Sequence, residues 1–247
     1  LFAGLGGEHG SLYMSTDDGQ NFSKVTGFPA MHAVYTLAYE GDNIYAGTWF
    51  GIYKSSDHGA TWAMSNNGIS GGYTRSMITA HGKIFASTLE GGIFVSNDDG
   101  VTWTEANTGI MGWRKHNMAP YPHAIAMVET GSGLVAATND GIYVSSDAGS
   151  SWSRASEKIK ANSMQSIAAQ GNFVYGGAAR MYVSSNQGST WNMAHSGIEG
   201  SSIYAITVQD NIVLASTANQ KLYRSTNNGS SWTEAGRGIS GRVDVLA

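Results

Sequence analysis

Three features of the amino-acid sequence predict an all-β fold, namely a six-bladed β-propeller of four-stranded antiparallel blades. A short motif, Ser-x-Asp/Asn-x-Gly-x-Ser/Thr-Trp, occurs five times in full and once as a weaker copy that ends in Asn21-Phe22, at spacings of 39 to 49 residues. Between the motifs, short runs that alternate apolar and polar residues are separated by turn residues, as in β-meanders. The two ends of the 247-residue chain also match complementary parts of one repeat, so that six repeats account for its whole length.

The repeat from residue 33 to residue 65 shows the predicted elements in order. The run AVYTLAYE is strand A, and a Gly-Asp turn leads to strand B, NIYAGT. A Trp-Phe-Gly turn leads to strand C, IYKSS, and the motif then leads to strand D, TWAMS. Four short strands in about 41 residues are typical of a propeller blade.

The chain ends are predicted to share one blade. Residues 241–247 match the strand A pattern of residues 203–209, and residues 1–4 match the strand B pattern of residues 44–47. The last blade is therefore expected to take strand A from the C-terminal end and strands B to D from the N-terminal end. This arrangement closes the ring and removes free sheet edges. All 247 residues are assigned to this single domain.

Each motif is expected to form the turn between strands C and D. In the copy at Ser55, the side chains of Ser55 and Asp57 are suited to accept hydrogen bonds from N–H groups of the turn. Gly59 supplies a positive φ, and Trp62 points into the core between sheets. Asn replaces Asp in two copies because the role is hydrogen bonding rather than charge. The predicted motif residues are Ser15, Asp17 and Gly19; Ser55, Asp57, Gly59 and Trp62; Ser96, Asp98, Gly100 and Trp103; Ser145, Asp147, Gly149 and Trp152; Ser184, Asn186, Gly188 and Trp191; Ser225, Asn227, Gly229 and Trp232.

The motif is similar to the Asp-box (BNR) repeat of the sialidase superfamily, whose members are six-bladed propellers. The repeat also resembles that of the photosystem II assembly factor family, of secreted glycoside hydrolases and of some lectins. The resemblance covers the entire chain. It implies that the boxes are fold elements remote from any active site.

A sialidase site would require three arginines, a Tyr–Glu nucleophile pair and an Asp acid/base. The candidates of these types are Arg75, Arg114, Arg180 and Arg242 for the clamp, Tyr35 or Tyr204 as nucleophile, and Glu8, Glu90 and Asp244 as acids. The family's N-terminal Arg-Ile-Pro motif is absent, and the repeats lack the long insertions that build the sialidase pocket.

Composition excludes several classes of function. A net charge of −4 and a pI of about 5.9 do not provide the basic surface of a nucleic-acid-binding protein. The chain has no apolar run long enough to span a membrane and no cysteine, and its seven histidines lack metal-ligand spacing. No cofactor is therefore expected. Abundant Asn, Ser, Thr and Gly together with the lack of Cys favour an exported bacterial protein, periplasmic or extracellular.

The B–C and D–A connections are predicted to form the face that carries function, because the boxes occupy the opposite face. Two of the seven tryptophans lie outside the boxes, and both fall on the B–C/D–A face. Trp49, followed by Phe50, is in a B–C turn, and Trp113 is in the longest D–A loop, residues 107–124. Arg114, His116 and Tyr121 are further candidate ligand-binding residues in this loop.

Alignment of the strand A segments suggests a second group of candidates at the mouth of a central channel. The equivalent positions are Tyr35, Arg75, Ile125, Gln165, Tyr204 and Asp244. Five of these six side chains are polar, and Arg75 and Asp244 are expected to form an ion pair.

The leading hypothesis is a non-catalytic binding or assembly module that presents the B–C/D–A face to a protein segment or a glycan. The alternative is a glycoside hydrolase, either sialidase-like with its site at the channel mouth or a two-carboxylate enzyme using Glu8, Glu90 or Asp140. A structural domain within a larger secreted protein is the third possibility. A panel of fluorogenic glycosides, including a sialoside, distinguishes the hydrolase from the binding module.

Replacing Trp113 and Arg114 together by alanine is expected to abolish binding of the partner, because loop residues on a rigid scaffold serve recognition rather than folding. The melting temperature should change little. Binding and thermal unfolding of the double variant check both statements, and a partner that binds it as tightly as the parent chain would contradict the assignment.

Overall fold

The regular structure of the chain is entirely β in the residues that the computed structural model describes, which are 1–5, 10–29, 32–110, 124–138, 140–155, 159, 164–199 and 202–236. Strands that follow one another along the chain pair antiparallel into six sheets. Sheet 1 has three strands in the described residues, and sheets 2 to 6 have four each. The predicted all-β class and the four-stranded antiparallel sheets are confirmed. The pairing predicted for residues 241–247 lies outside the described residues.

The strands follow the predicted order A to D within each sheet, and sheet 1 contributes positions B to D. Sheet 1 contains β1 (Phe2–Gly4), β2 (Leu12–Met14) and β3 (Ser23–Lys24); sheet 2 contains β4 (Val34–Glu40), β5 (Asn43–Thr48), β6 (Gly51–Ser55) and β7 (Ala63–Met64); sheet 3 contains β8 (Thr74–Ala80), β9 (Lys83–Thr88), β10 (Gly92–Ser96) and β11 (Thr104–Glu105). Sheet 4 contains β12 (Ala124–Thr130), β13 (Gly133–Thr138), β14 (Gly141–Ser145) and β15 (Ser153–Arg154); sheet 5 contains β16 (Ser166–Gln170), β17 (Phe173–Gly177), β18 (Met181–Ser184) and β19 (Asn192–Met193); sheet 6 contains β20 (Ile203–Gln209), β21 (Ile212–Thr217), β22 (Leu222–Ser225) and β23 (Thr233–Ala235).

The chain divides into two compact units. Unit 1 comprises residues 1–107 and 111–124, and unit 2 comprises residues 108–110 and 125–247. Sheets 1 to 3 belong to unit 1 and sheets 4 to 6 to unit 2, except that the first residue of β12 falls in unit 1. Within the described part of the chain, no helix is long and apolar enough to cross a lipid bilayer.

Each hydrophobic core lies between two neighbouring sheets of one unit. Strand B packs on both of its faces, which explains why NIYAGT is buried almost throughout instead of alternating. In unit 1, Tyr45 and Ile52 of sheet 2 pack against Ile84 and Phe94 of sheet 3. Leu12 of sheet 1 belongs to a second cluster that also includes Ala46 and Tyr53 of sheet 2. In unit 2, equivalent clusters join sheets 4 and 5 and sheets 5 and 6.

Strand D is shorter than predicted. Instead of the five residues TWAMS, β7 contains only Ala63–Met64. The residue before Trp62 is held by the box, since Thr61 donates both its N–H and its hydroxyl to Asp57. At the other end, Ser65 directs its hydroxyl to the carbonyl of Gly100 in the next sheet, 2.5 Å away. The N–H of Thr61 is therefore not available to the ladder. The N–H of Ser65 still donates to the carbonyl of Ile52 in strand C at 2.8 Å, one residue beyond the end of β7.

The six boxes fold in the same way. The Ser Oγ atom accepts the Gly N–H at 2.8–2.9 Å and donates to the Asp or Asn Oδ1 at 2.7–2.9 Å. The same Oδ1 accepts the N–H four residues later, at 2.8–3.0 Å. Gly59 has φ +90°, and His58 before it is also left-handed, with φ +57°. The sequence motif does not reveal the second left-handed residue, because five different residue types occupy that position in the six boxes.

These hydrogen bonds stabilise the charged form of the box aspartates. The side-chain hydroxyl of Thr61, together with its N–H and the Ser55 hydroxyl, lowers the pKa of Asp57 from 3.8 to about 2. In the same way, hydrogen bonds from Asn21 lower the pKa of Asp17 to about 2. Hydrogen bonds from Ser151 lower the pKa of Asp147 to about 2. A carboxyl whose pKa is depressed by folding contributes stability above the pKa of the unfolded chain and loses it as the pH falls towards the folded value.

The variant Asp57→Asn is therefore expected to keep the box folded at neutral pH, because Asn186 and Asn227 make the same hydrogen bonds in their boxes. Between pH 4 and pH 2, it should lose less stability than the parent, because it lacks the carboxylate that the parent must protonate. The measurement is the melting temperature of both proteins across this range. Asp42→Asn, in an exposed A–B turn, is the matched control and should keep the parental slope. An unchanged slope in Asp57→Asn would exclude this source of acid sensitivity.

Within each unit, a main-chain hydrogen bond that we call the clasp joins a box tryptophan to a D–A connection. The N–H of Trp103 donates to the carbonyl of Asn67, in the D–A connection of the preceding sheet, at 2.8 Å. Trp152 and Trp232 make the same bond to Thr108 and Ser196, at 2.8 and 3.0 Å. A glycine follows each acceptor, and a Cβ atom on it would lie 2.0–2.1 Å from the carbonyl oxygen of the tryptophan.

Gly68→Ala is expected to destabilise the chain strongly, because the new Cβ would lie 2.1 Å from the Trp103 carbonyl oxygen. Gly82→Ala is the matched control, since Gly82 also has positive φ but a Cβ atom added there would have no atom within 4 Å. A left-handed alanine costs roughly 1–2 kcal/mol, and we expect Gly68→Ala to exceed the control by at least about 1 kcal/mol in urea unfolding. Equal losses would contradict the proposed role of close packing.

Candidate functional site

The B–C turn of sheet 2 is built to expose two aromatic rings. The Thr48 hydroxyl donates to the carbonyl of Gly51 at 2.9 Å and accepts the N–H of Phe50 at 3.1 Å. The side chain of Asn66 accepts the N–H of Ile52 at 2.8 Å and donates to the carbonyl of Phe50 at 3.2 Å. The turn is thus fixed from both sides, while Trp49 and Phe50 stay 54% and 52% exposed.

Three aromatic rings from three segments of unit 1 are in contact. The rings of Trp49 and Tyr73 are stacked, with centroids 4.8 Å apart and an interplanar angle of 25°. Tyr35 meets the ring of Tyr73 edge-on, with centroids 4.5 Å apart. Arg75 donates from Nη1 to the Tyr73 hydroxyl at 3.3 Å. We call Tyr35, Trp49, Phe50, Tyr73 and Arg75 the aromatic patch.

Bulges position two members of the aromatic patch. Strand pairing shifts register between Val34 and Thr36, and again between Thr74 and Ser76. Tyr35 and Arg75 are the extra residues at these shifts, so their side chains are re-aimed relative to the pleat. Tyr204 has the same position in sheet 6 of unit 2. The strand A positions that the sequence aligns are therefore bulge positions in these three sheets.

Apolar groups extend the aromatic patch on two sides. Leu5 and Leu89, in the B–C turns of sheets 1 and 3, are 49% and 37% exposed. The carbonyl of Leu5 accepts the N–H of Val34, next to Tyr35, at 3.1 Å, and the N–H of Leu89 donates to the carbonyl of Tyr73 at 2.9 Å. The ring of His32 lies 4.5 Å from that of Phe50.

Most polar side chains around the aromatic patch are already engaged. Thr48 and Asn66 are used to hold the turn, and Thr88 holds the neighbouring turn through Ser70 and Gly91. Among the described residues, the accessible polar groups that remain include the Arg75 guanidinium, the tyrosine hydroxyls and Glu90. Burial, and then the proximity of Tyr73, raises the pKa of Tyr35, so its phenol stays protonated. In the part of the chain that the structure describes, this surface can stack on apolar or planar groups, and Arg75 is its cation.

Three other sequence candidates in the described residues are not part of the aromatic patch. Arg180 lies in a B–C turn of unit 2, where it lines a cavity, and Tyr204 is in strand A of sheet 6. Asp140 forms an ion pair with Arg154 and accepts the Tyr143 hydroxyl at 2.9 Å. Trp113, Arg114, His116, Tyr121 and Asp244, and with Asp244 the predicted pair to Arg75, lie outside the described residues.

Sequence reasoning missed Tyr73, which connects the members of the aromatic patch. The signal was available two residues before the aligned strand A position. Small residues stand there in sheets 2 and 6, Ala33 and Ser202, whereas sheet 3 has Tyr73. His32 and Leu89 carry no such signal, because their role depends on which loops come together.

Comparison with known proteins identifies solved structures only. No protein-family model matches the chain, and no curated protein sequence is significantly similar to it. A GH74 xyloglucanase from Xanthomonas campestris superposes with a TM-score of 0.72 at 15% identity, over 94% of this chain and 43% of that one. YCF48 bound to D1 peptide superposes with a TM-score of 0.67 at 15% identity, over 94% of this chain and 77% of that one.

A third similar structure is the extracellular domain of BT4673, a putative one-component system from B. thetaiotaomicron, with a TM-score of 0.69 at 13% identity, over 94% of this chain and 32% of that one. The chain thus spans less than half of the xyloglucanase and about a third of the BT4673 domain. Similarity at this level of identity establishes the fold alone. The chain has the β-propeller fold of these proteins.

Proposed function

We propose that this chain is a non-catalytic binding module that recognises an extended protein segment through the aromatic patch on its B–C and D–A connections. The observation that carries the proposal is the stack of Trp49 on Tyr73, with Tyr35 and Arg75 at its edge. Exposed aromatic and apolar groups that are contiguous on a folded surface mark interaction sites. Aromatic side chains and arginine are also the residue types that dominate the energetics of interfaces.

The chemistry of the aromatic patch favours a peptide over a glycan. A sugar needs several hydrogen-bonding groups beside the ring on which it stacks, but the nearby Thr48, Asn66 and Thr88 are bonded within the fold. Leu5 and Leu89 instead extend the surface with aliphatic groups. Apolar side chains of a peptide would stack on Trp49, and Arg75 would bind a backbone carbonyl or a carboxylate. That YCF48 has been solved bound to a peptide supports this choice.

A glycoside hydrolase is less well supported. A Tyr35 nucleophile would have to ionise, and its pKa is raised by burial. In the described part of unit 1, Glu90 is the one carboxylate in a B–C or D–A connection, whereas a hydrolase of the common type needs two. In unit 2, the carboxylate of Asp140 is held by Arg154 and Tyr143.

We also propose that the protein is exported. Its solved neighbours include an extracellular domain, and the chain has no cysteine that would need a reducing compartment.

Trp49→Ala is expected to weaken peptide binding by at least about 10-fold, as for a central aromatic anchor of an interface. The probe is a random dodecapeptide library displayed on phage, from which enriched sequences are synthesised and titrated by calorimetry. Tyr39→Ala is the matched control, because Tyr39 is 48% exposed at the A–B end of the same sheet. It should leave the affinity unchanged.

Two outcomes would overturn the proposal. One is that no peptide is enriched, or that enriched peptides bind Trp49→Ala as tightly as the parent. The other is that an array of oligosaccharides, including xyloglucan fragments, binds the parent and not Trp49→Ala, which would make the aromatic patch a glycan site. Turnover of fluorogenic glycosides would favour the hydrolase.

A further inference from the structure

Sheet 5 differs from sheets 2 and 3 at two positions whose residues are in contact in sheet 2. The residue immediately before the first apolar residue of strand C is Gly51, Gly92 and Gly141 in sheets 2, 3 and 4, but Arg180 in sheet 5. The residue four positions after the box tryptophan is Asn66 and Asn107 in sheets 2 and 3, but His195 in sheet 5.

The two departures are sterically coupled. A Cβ atom at Gly51 would lie 2.3 Å from Nδ2 of Asn66. A side chain at the glycine position therefore requires a different residue at the asparagine position. Sheet 5 has both changes, and Arg180 and His195 line one cavity of about 500 Å³ in unit 2. Met193, Ser196 and Ser230 also line this cavity.

His195 accepts a hydrogen bond as the equivalent asparagine does, but it does not make the second hydrogen bond that the asparagine donates. Its Nδ1 accepts the N–H of Met181 at 3.2 Å, as the Oδ1 of Asn107 accepts the N–H of Ile93. The proton of the neutral ring is therefore on Nε2. Asn107 donates its second group to Gly91, whereas Nε2 of His195 is buried and has no hydrogen-bond partner in the described residues. Burial, and then the charge of Arg180, lowers the pKa of His195, which keeps the ring neutral.

In sheet 6, the cation at the position equivalent to Arg180 is neutralised by a carboxylate of the same sheet. Lys221 there occupies the place of Arg180 and pairs with Glu234 at 2.8 Å. Glu234 lies opposite Tyr223 in the ladder, and Met193 lies opposite the equivalent Tyr182. Sheet 5 thus has a methionine where sheet 6 has the acid. No carboxylate of the described residues lies within ion-pair distance of the exposed Arg180.

We propose that the cavity of sheet 5 binds an oxyanion group, a carboxylate or a phosphate of a ligand, between the Arg180 guanidinium and the Nε2–H of His195. A planar guanidinium binds either group through two parallel hydrogen bonds. The hydroxyls of Ser196 and Ser230 are further donors in the cavity wall. This site is independent of the aromatic patch, since every residue in it belongs to unit 2.

The experiment follows the histidine side-chain resonances of the full chain by NMR during titration with inorganic phosphate, and separately with acetate, at constant pH and ionic strength. The variant His195→Asn assigns the His195 signals. Saturable shifts of His195 in the millimolar range are expected for at least one anion, and the stronger of the two identifies the oxyanion class. Arg180→Gln should weaken that binding roughly 10-fold or more, since it removes a charged hydrogen bond.

Two further variants separate binding from folding. Met193→Glu introduces the acid of sheet 6 at a side chain that is 67% exposed, and it should abolish anion binding although Arg180 is retained. Arg224→Gln removes another exposed arginine and should leave the titration unchanged. The proposal is overturned if neither anion shifts His195 saturably, or if Arg180→Gln or Met193→Glu binds the anion as the parent does.

Discussion

The main-chain hydrogen bond between a box tryptophan and the preceding sheet is the interaction on which the rest of the structure depends. It requires three local conditions: a box that orients the N–H of Trp103, a glycine that lets the D–A connection approach, and a core between the two sheets. The same connection carries Asn66, which fixes strand C and the B–C turn of its own sheet. One short segment therefore sets both the packing of the next sheet and the position of the exposed loop.

Elements with local causes were predictable from the sequence. Strand B of sheet 2 was predicted as Asn43–Thr48 and is found there, because turn residues on both sides delimit a short run of β-forming residues. Strand D was overestimated at its start because the Asp57 carboxylate takes the N–H of Thr61. The clasp had a sequence signal, since Gly-Ile follows strand D at residues 68, 109 and 197. The two residues that the clasp joins are, however, 36 to 44 positions apart along the chain.

The aromatic patch was predictable only in part, for a related reason. Trp49 stands out once the box tryptophans are set aside, and strand alignment finds Tyr35 and Arg75. The contacts that make them a site pass through Tyr73, and a stack of rings is a property of loops brought together by sheet packing. The bulges at Tyr35 and Arg75 could not be predicted from the sequence either, because a bulge is defined by the register between two strands and not by either strand alone.

A chain made of repeats provides an internal standard against which its departures can be judged. Residues that the blade needs occupy equivalent positions in several sheets, as Thr48 and Thr138 do in tying their B–C turns. A departure that leaves every group satisfied, such as Lys221 with Glu234, is explained by the fold. Arg180 and His195 instead leave a charge and a buried donor without protein partners in the described residues. Since an unpaired buried donor has a cost, the oxyanion that we propose as the ligand of this cavity would offset that cost and neutralise the charge of Arg180.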